Sequence, residues 1–295
     1  MDIDIVLFSP ANLEELFNLM LENHRLDHFT PELLDEKIRK DPDFDPELAL
    51  CAYHHEELVG FAMAVLRQNG KGFVKLIAVK QWHRRRGIGT KLYQELELRL
   101  KNQGCRQIEV YNCVPNFFLP GVDPRYTKAV CFFERQDFTK FNETVNMVVD
   151  LRNPEFSLHK KAEKLKRLGI IVNKIEAADE NRLLDFVQSE FPVWRIEVMS
   201  MIAHKTAFIA TSAGKVIGFS GYEGNNIDQG WFGPMGVQEK HSGNGVGALL
   251  LATCLQHMSN KYERAVIPWA GPPCFYSKVV GATVDRVFWQ YRKKL

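Results

Sequence analysis

The sequence predicts an α+β protein made of two similar domains in tandem, each a mixed sheet flanked by helices. Three observations carry this reading: the length, a repeat at one constant spacing, and a glycine-rich turn that joins a strand to a long helix at the same place in each copy. At 295 residues the chain exceeds one average domain and suits two, because single cores stop growing efficiently near this size. Apolar residues make up 45% and charged residues 25%, a balance that fills cores and argues against disorder.

Short matching strings reveal the repeat. Ala49-Leu50-Cys51-Ala52 matches Ala207-Phe208-Ile209-Ala210, and Val59-Gly60-Phe61-Ala62 matches Ile217-Gly218-Phe219-Ser220. Val79, Gly87 and Gly89 match Val237, Gly245 and Gly247, all at an offset of 158. In the first copy a strand at 3–8 leads into helical segments, and two strands form a hairpin about the polar turn at 54–57. A strand at 73–79 then enters the glycine turn and a helix at 87–103, where Leu92, Leu96 and Leu100 recur at helical spacing and mark a sheet-facing side. A strand at 107–111, a short helix and closing strands complete it. The second copy repeats the order: strand 170–175, a hairpin about Ala213-Gly214, strand 231–237, a helix at 245–262 carrying Leu250, Cys254 and Met258, and strand 265–269. Between them, 152–168 holds Lys160, Lys161, Lys164, Lys166 and Arg167 and reads as a solvated linking helix. The expected domains are therefore 1–151 and 169–295.

Composition excludes several function classes. The formal charge is +2, with 38 basic against 36 acidic residues, so no global field draws in nucleic acid. Six scattered cysteines without CxxC pairing read as reduced and structural, which predicts a cytoplasmic protein. The first residues alternate acidic and apolar side chains and lack a basic segment before an apolar one, unlike a signal peptide. Apolar runs such as 248–251 fall far short of the roughly 20 residues of a bilayer span. A soluble protein without a membrane partner is expected. His54, His55, His83 and His241 show no spacing that would supply a third metal ligand, so no metal is expected.

The chemistry lies in the glycine turns. The first reads Arg84-Arg85-Arg86-Gly87-Ile88-Gly89-Thr90 and opens a helix. Glycines there permit positive φ and remove the Cβ, so successive amides can converge on an anion. The helix N-terminus reinforces that attraction, making a seat for a diphosphate, and three arginines add charge for terminal phosphates. A Rossmann turn would follow the first strand and carry an acidic residue about 20 positions on. A P-loop would continue Gly-Lys-Ser/Thr. Neither pattern is met.

The pattern that is met, Arg84 with Gly87 and Gly89, resembles the Gln/Arg-x-x-Gly-x-Gly/Ala signature of the GNAT acetyltransferase superfamily. The resemblance covers nearly the whole chain, because Ser242-Gly243-Asn244-Gly245-Val246-Gly247 stands at the same place in the second copy, with Ser242 in place of the Arg or Gln. It implies two tandem GNAT domains, each with a mixed, mostly antiparallel sheet, and an N-acetyltransferase that uses acetyl-CoA. The implied cofactor-binding residues are Val79, Arg84, Arg85, Arg86, Gly87, Ile88, Gly89 and Thr90 in the first copy. In the second they are Val237, Gly243, Asn244, Gly245, Val246 and Gly247. In the family a strand pair splays where the fourth strand ends, which gives the amides of Val79 and Val237 the pantetheine arm.

A second family feature is a Phe-Tyr-x-Lys-x-Gly-Phe-like helix whose tyrosine protonates the departing thiolate. Phe275-Tyr276-Ser277-Lys278 with Gly281 resembles it, whereas the first copy has Phe132-Phe133-Glu134-Arg135. Phe133 lacks the hydroxyl, so Tyr276 is the expected catalytic acid. The segments that line the acceptor cleft in this family hold Glu190, Glu197, Glu223 and Asp228 as candidate bases, none with a spacing signature. They also hold Phe191, Trp194, Trp231 and Trp269, and aromatic faces beside carboxylates suit an amino sugar. The plan, with Pro120-Gly121-Val122-Asp123-Pro124-Arg125-Tyr126 between strand and helix, is similar to tandem GNAT proteins such as mycothiol synthase and bacterial glucosamine and glucosaminide N-acetyltransferases. That likeness places the chemistry in the C-terminal half, on a primary amine of a small molecule, while the rigid insertion plugs the first cleft. Two alternatives stand beside it: a peptide or protein amine acceptor, and a non-catalytic CoA-binding sensor.

Overall fold

The computed structural model describes residues 2–152, 154, 156 and 158–295, apart from the side chains of residues 158–160. Its contacts divide the chain into two compact units, residues 1–144 with 288–295, and residues 145–287. This division differs from the expected limits: the first boundary falls at 144 rather than 151, and the last eight residues group with the first unit. The 152–168 segment, in turn, groups with the second.

The first unit opens with β1 (Asp4–Leu7), α1 (Leu13–Asn23) and α2 (Pro31–Lys37), then β2 (Ala49–His54), β3 (Glu57–Leu66) and β4 (Lys71–Val79). Helix α3 (Ile88–Asn102), β5 (Gln107–Val110), α4 (Thr127–Arg135) and the start of β6 (Thr139–Asp150) follow. The first four strands are antiparallel neighbours in order, β4 and β5 are parallel, and residues 292–294 pair antiparallel with β5. Helix α3 buries Ile88, Leu92, Tyr93, Leu96 and Leu100, the stripe its spacing predicts. It lies close on β3 because Gly60 has no side chain: a Cβ there would come within 3.0 Å of both Ile88 and Leu92.

The second unit begins with α5 (Leu158–Arg167) and β7 (Ile170–Lys174), then α6 (Glu180–Glu190), α7 (Arg195–Ala203), β8 (Phe208–Ser212), β9 (Lys215–Ser220) and a short β10 (Gly236–Val237). Helix α8 (Val246–Met258), β11 (Arg264–Ile267), α9 (Pro273–Val280) and the start of β12 (Thr283–Lys294) complete it. Strands β7 to β10 are antiparallel neighbours, and β11 pairs antiparallel with the last residues of β6. Ala213 and Gly214 both take positive φ, 46° and 74°, the geometry of a two-residue hairpin turn whose twist matches its strands.

Two sequence expectations change here. The strand expected at 231–237 is broken: Trp231 forms an isolated parallel bridge with Val266 and Phe232 an isolated antiparallel one with Tyr222, and ladder pairing resumes only at Gly236. Gly233 takes φ 111° and Pro234 has no N–H to give a ladder. The linking segment is also more than a solvated helix, since Leu165 of α5 is buried in the second core with Ala162 packed beside it. The side chain of Lys160 lies outside the described residues. Among the described residues no helix is long and apolar enough to cross a membrane. Of the six cysteines four are buried, while Cys131 and Cys274 are exposed.

Candidate functional site: two glycine turns on one plan

Both glycine turns follow the same backbone path. After β4 a 3-10 turn at Gln81–His83 leads to Arg84, then Arg85 at φ 63° and Gly87 at φ 82°. After β10 a 3-10 turn at Glu239–His241 leads to Ser242, then Gly243 at φ 79° and Gly245 at φ 94°. Two left-handed residues one apart make an amide concavity of the kind that binds anions. Gly87 and Gly245 are the N-caps of α3 and α8, and neither helix has a side-chain cap. The first-turn amides, including those of Ile88, Gly89, Thr90, Val246 and Gly247, therefore have no intrahelical acceptor. A Cβ at Gly87 or Gly245 would meet nothing within 4 Å, so the space above each turn is open and the cradle fits a diphosphate. Asn244 sits between the two left-handed glycines, as Arg86 sits between Arg85 and Gly87.

The strand ends are also matched. Lys80 donates its N–H to Val59 at 2.8 Å, and Gln238 donates its N–H to Ile217 at 2.8 Å. Main-chain groups alternate sides along a strand, so Val79 and Val237 turn theirs away from the hairpin, toward the splayed side. In the first unit β4 and β5 stop pairing after Val74 and Val110. The splay thus starts five residues before Val79.

Charge separates the two turns. Arg85 and Arg86 are exposed beside the first, and the second has Gly243 and Asn244 there. Arg84 does something other than face an anion: its Nε donates to Val79 O at 3.0 Å and its Nη2 to Asn23 Oδ1 at 2.6 Å, holding the strand end against α1. Ser242 is too short for that brace. In the second unit Gln238 instead donates to Glu190 Oε1 at 2.8 Å, so Glu190 secures the strand end.

The two units diverge most where the strands splay. In β4, Met63 opposes Leu76 and Ala64 opposes Val74, which leaves Lys75 as a bulge residue. Lys75 is fully buried and ion-paired with Asp41. Asp41 also takes a bidentate Arg67, at 2.6 and 2.9 Å, and Arg67 reaches Asp43 Oδ2 at 2.7 Å and Pro115 O at 2.6 Å. At the 158-residue offset the counterpart of Lys75 is Gly233, where a Cβ would meet nothing within 4 Å. A buried cation fills the first bulge and the second is open. Sequence reasoning missed Lys75, although a lone lysine in an apolar strand was the available signal.

The segment after β5 tightens the first unit further. Cys113, Phe118, Leu119, Val122 and Asp123 are buried. Tyr126 accepts a hydrogen bond from the Leu26 N–H at 2.8 Å and donates one to Asp27 at 2.7 Å, and Lys37 donates to Asn116 at 2.8 Å.

Helices α4 and α9 stand in equivalent places. A Cβ on Gly89 would lie 3.4 Å from Phe132, and one on Gly247 would lie 3.7 Å from Phe275. The next residues are then Phe133, fully buried among aromatic rings, and Tyr276. Tyr276 is half-buried, packs edge-on to Phe275, and its hydroxyl has no hydrogen bond among the described residues. Burial pushes its phenol above the ordinary value, which keeps it protonated at neutral pH.

The remaining expected residues fall into separate groups. Phe191 and Trp194 stack at 5.3 Å, and a Cβ on Gly236 would touch the Phe191 ring, so this pair lies over β10. Glu223 is buried; it accepts the Asp228 N–H at 2.7 Å and Lys261 Nζ at 2.9 Å, and it also bonds Tyr262. Asp228 shares Lys261. Both lie past the C-terminal end of α8, the end opposite the glycine turn. Trp231 bridges to Val266, and the Trp269 N–H donates to Asn146 at 3.0 Å. Among the described residues no three His, Cys, Asp or Glu side chains form a metal-sized cluster.

The model of the GNAT acetyltransferase family matches residues 13–118 and 176–270, one match in each unit. The chain belongs to the GNAT family of acetyltransferases. Solved structures share the fold. The glucosamine N-acetyltransferase region of a fungal multi-domain GH3 β-N-acetylglucosaminidase superposes with a TM-score of 0.83 at 18% identity, over 99% of this chain and 38% of that one. The chain thus spans well under half of that protein. A GCN5-related N-acetyltransferase from Sphaerobacter thermophilus gives 0.74 at 17% identity over 99% and 95% of the two chains. A tandem GNAT protein from the clavulanic acid biosynthesis pathway gives 0.70 at 12% identity over 99% and 98%. Among curated proteins, no sequence matches significantly. At these identities the likeness to this GNAT chain is one of fold.

Proposed function

We propose that this GNAT protein is an acetyl-CoA-dependent N-acetyltransferase that acts on a primary amine of a small molecule, with its chemistry in the second unit and in the cytoplasm. The observation that carries the reading is the Tyr276 hydroxyl on α9, which makes no hydrogen bond among the described residues, beside the helix whose N-terminus forms the open turn at Gly245. The turn would hold the diphosphate, the main chain at Val237 would line the pantetheine arm, and the open bulge at Gly233 leaves room for the thioester. The amine attacks the thioester carbon directly, the C–S bond breaks, and the phenol gives its proton to the leaving sulfur.

The first unit keeps the better-charged turn but has Phe133 for the acid and Lys75 in the bulge. It binds acetyl-CoA without turnover in this reading. The Phe191–Trp194 stack over β10 favours a ring-shaped acceptor such as an amino sugar, and glucosamine is the first to test because a fold relative carries that activity.

The expected result for Tyr276→Phe is a fall in kcat of about 10-fold to 100-fold, with the dissociation constant of acetyl-CoA unchanged. CoA-SH release and calorimetric titration measure the two. A variant that turns over glucosamine at the wild-type rate removes Tyr276 from the mechanism.

A further inference from the structure

One aromatic ring of the second unit lies directly on the strand end proposed above for the pantetheine arm. Phe191 is the C-cap of α6, with φ −142° and ψ 52°, and its N–H bonds Val187 O at 2.8 Å. Its ring rests on Gly236, where a Cβ would come within 2.8–3.0 Å of three ring carbons. Only glycine lets the ring touch the main chain there. Edge contacts to Phe186 and Phe219, both at 5.9 Å, and the Trp194 stack, with 20° between the planes, hold the ring in place. Glu190, the preceding residue, takes the Gln238 side chain at 2.8 Å. The end of α6 is thus tied to the strand on both sides of Val237. Phe191 and Trp194 are half-buried, so part of the stack stays open to an incoming molecule.

The two faces of this strand end have different neighbours. Side chains alternate along a strand, and Met235 and Val237 point toward α8: a Cβ on Gly247 would lie 3.6 Å from Val237 and 4.0 Å from Met235. Gly236 faces the other way, toward Phe191. The turn at Gly245 brings the cofactor from the α8 side, which leaves the Phe191 side for the amine. In the first unit the counterpart of Gly236 is Ala78, whose side chain occupies the place of the ring. The C-cap of α1 is His24, which packs against Phe29 and Phe118 at 5.0 and 5.7 Å.

We infer that Phe191 selects the acceptor of the second unit: its ring is the floor on which a ring-shaped amine lies flat, and it excludes amines substituted next to the amine-bearing carbon. This rests on the reading of the second unit as the reactive one. The ring meets the main chain without a gap, so a substituent beside the amine would have to lift it, against its contacts with Trp194, Phe186 and Phe219. An apolar floor of this kind discriminates by shape and not by charge.

The test measures kcat/KM of wild type, Phe191→Ala and Gly236→Ala for glucosamine and its 3-O-methyl ether, which carry the same charge, and acetyl-CoA affinity by calorimetry. Wild type should prefer glucosamine roughly 10-fold to 100-fold, the scale of one methyl group in a tight apolar pocket. Phe191→Ala should bring that preference close to unity, because the ether now fits while glucosamine loses its stack. Gly236→Ala should act in the opposite sense: the Cβ lifts the ring into the acceptor space, so glucosamine falls roughly 10-fold and the ether further. Gly236 lies in β10 without a positive φ, so its backbone accepts alanine, and this variant carries the test if Phe191→Ala does not fold. Acetyl-CoA affinity should match wild type in both. A wild type that takes both amines equally, a preference unchanged in both variants, or losses that follow weakened acetyl-CoA binding would overturn the assignment and leave Phe191 a packing residue. A wild-type protein that binds acetyl-CoA but acetylates neither amine counts instead against the function proposed above, and the role of Phe191 falls with it.

Discussion

Replacing Gly245 by valine is expected to lower kcat/KM for amine acetylation by roughly 1,000-fold, on the scale of losing several preorganised donors at once. Open space surrounds the glycine, so no clash drives the loss. The cause is the backbone: φ of 94° lies where an L-residue, above all a β-branched one, is strained. Valine would pull the turn out of the left-handed region, and the amides at the start of α8 would cease to converge. Gly87→Val should do the same to the first turn, where φ is 82°, yet with a different readout. It should remove one equivalent of bound acetyl-CoA and leave most of the turnover. Calorimetric stoichiometry and CoA-SH release together separate the two units. Wild-type turnover in Gly245→Val would move the chemistry out of the second unit, and equal losses in both variants would assign it to both.

What made these turns legible is that glycine is demanded by backbone geometry, which is local. The positions that need positive φ in the second copy, Gly243 and Gly245, are glycine in the sequence, and only Arg85 breaks the rule in the first. The offset of 158 likewise survived intact, because Gly60 and Gly218 each let a helix lie close on a strand. Tyr276 against Phe133 could be read from adjacent residues in a helix. The break at Gly233-Pro234 was visible as a dipeptide, but the apolar pattern on either side of it overruled the signal. Long-range partners were out of reach. Asp41 and Lys75 lie 34 residues apart, and nothing in either neighbourhood names the other. Residues 288–295 read as a closing strand of the second copy, yet residues 292–294 pair with β5 and Trp289 with Val122. In α5 the run of lysines around Ala162 and Leu165 hid a core contact at Leu165.

The buried ion cluster of the first unit yields the largest expected stability effect, and its asymmetry is the test. Burial pushes the Asp41 carboxyl up, but the Arg67 hydrogen bonds and the Lys75 and Arg67 charges outweigh it and hold it below the usual 3.8. Burial pulls the Lys75 ammonium down, with Cys113 and Asp41 offsetting part of that. Asp41→Ala would leave two buried cations facing each other across a cavity, with Asp43 engaging only Arg67. Breaking a buried pair in this way costs about 3–5 kcal/mol. Lys75→Met removes the costly ammonium and leaves Asp41 its bidentate arginine, so a change of about 1 kcal/mol or less is expected. Because the folded Asp41 value is depressed, its stabilisation is complete above the unfolded carboxylate range and is lost as pH falls through the folded value. Urea titrations of the whole chain, followed through the first unit's transition, should therefore show that Asp41→Ala lowers the midpoint sharply at neutral pH and flattens its fall in acid. Equal losses for the two variants would mean that Lys75 organises the cluster as much as Asp41 does, and that the filled bulge is held from the strand as well as from the loop after α2.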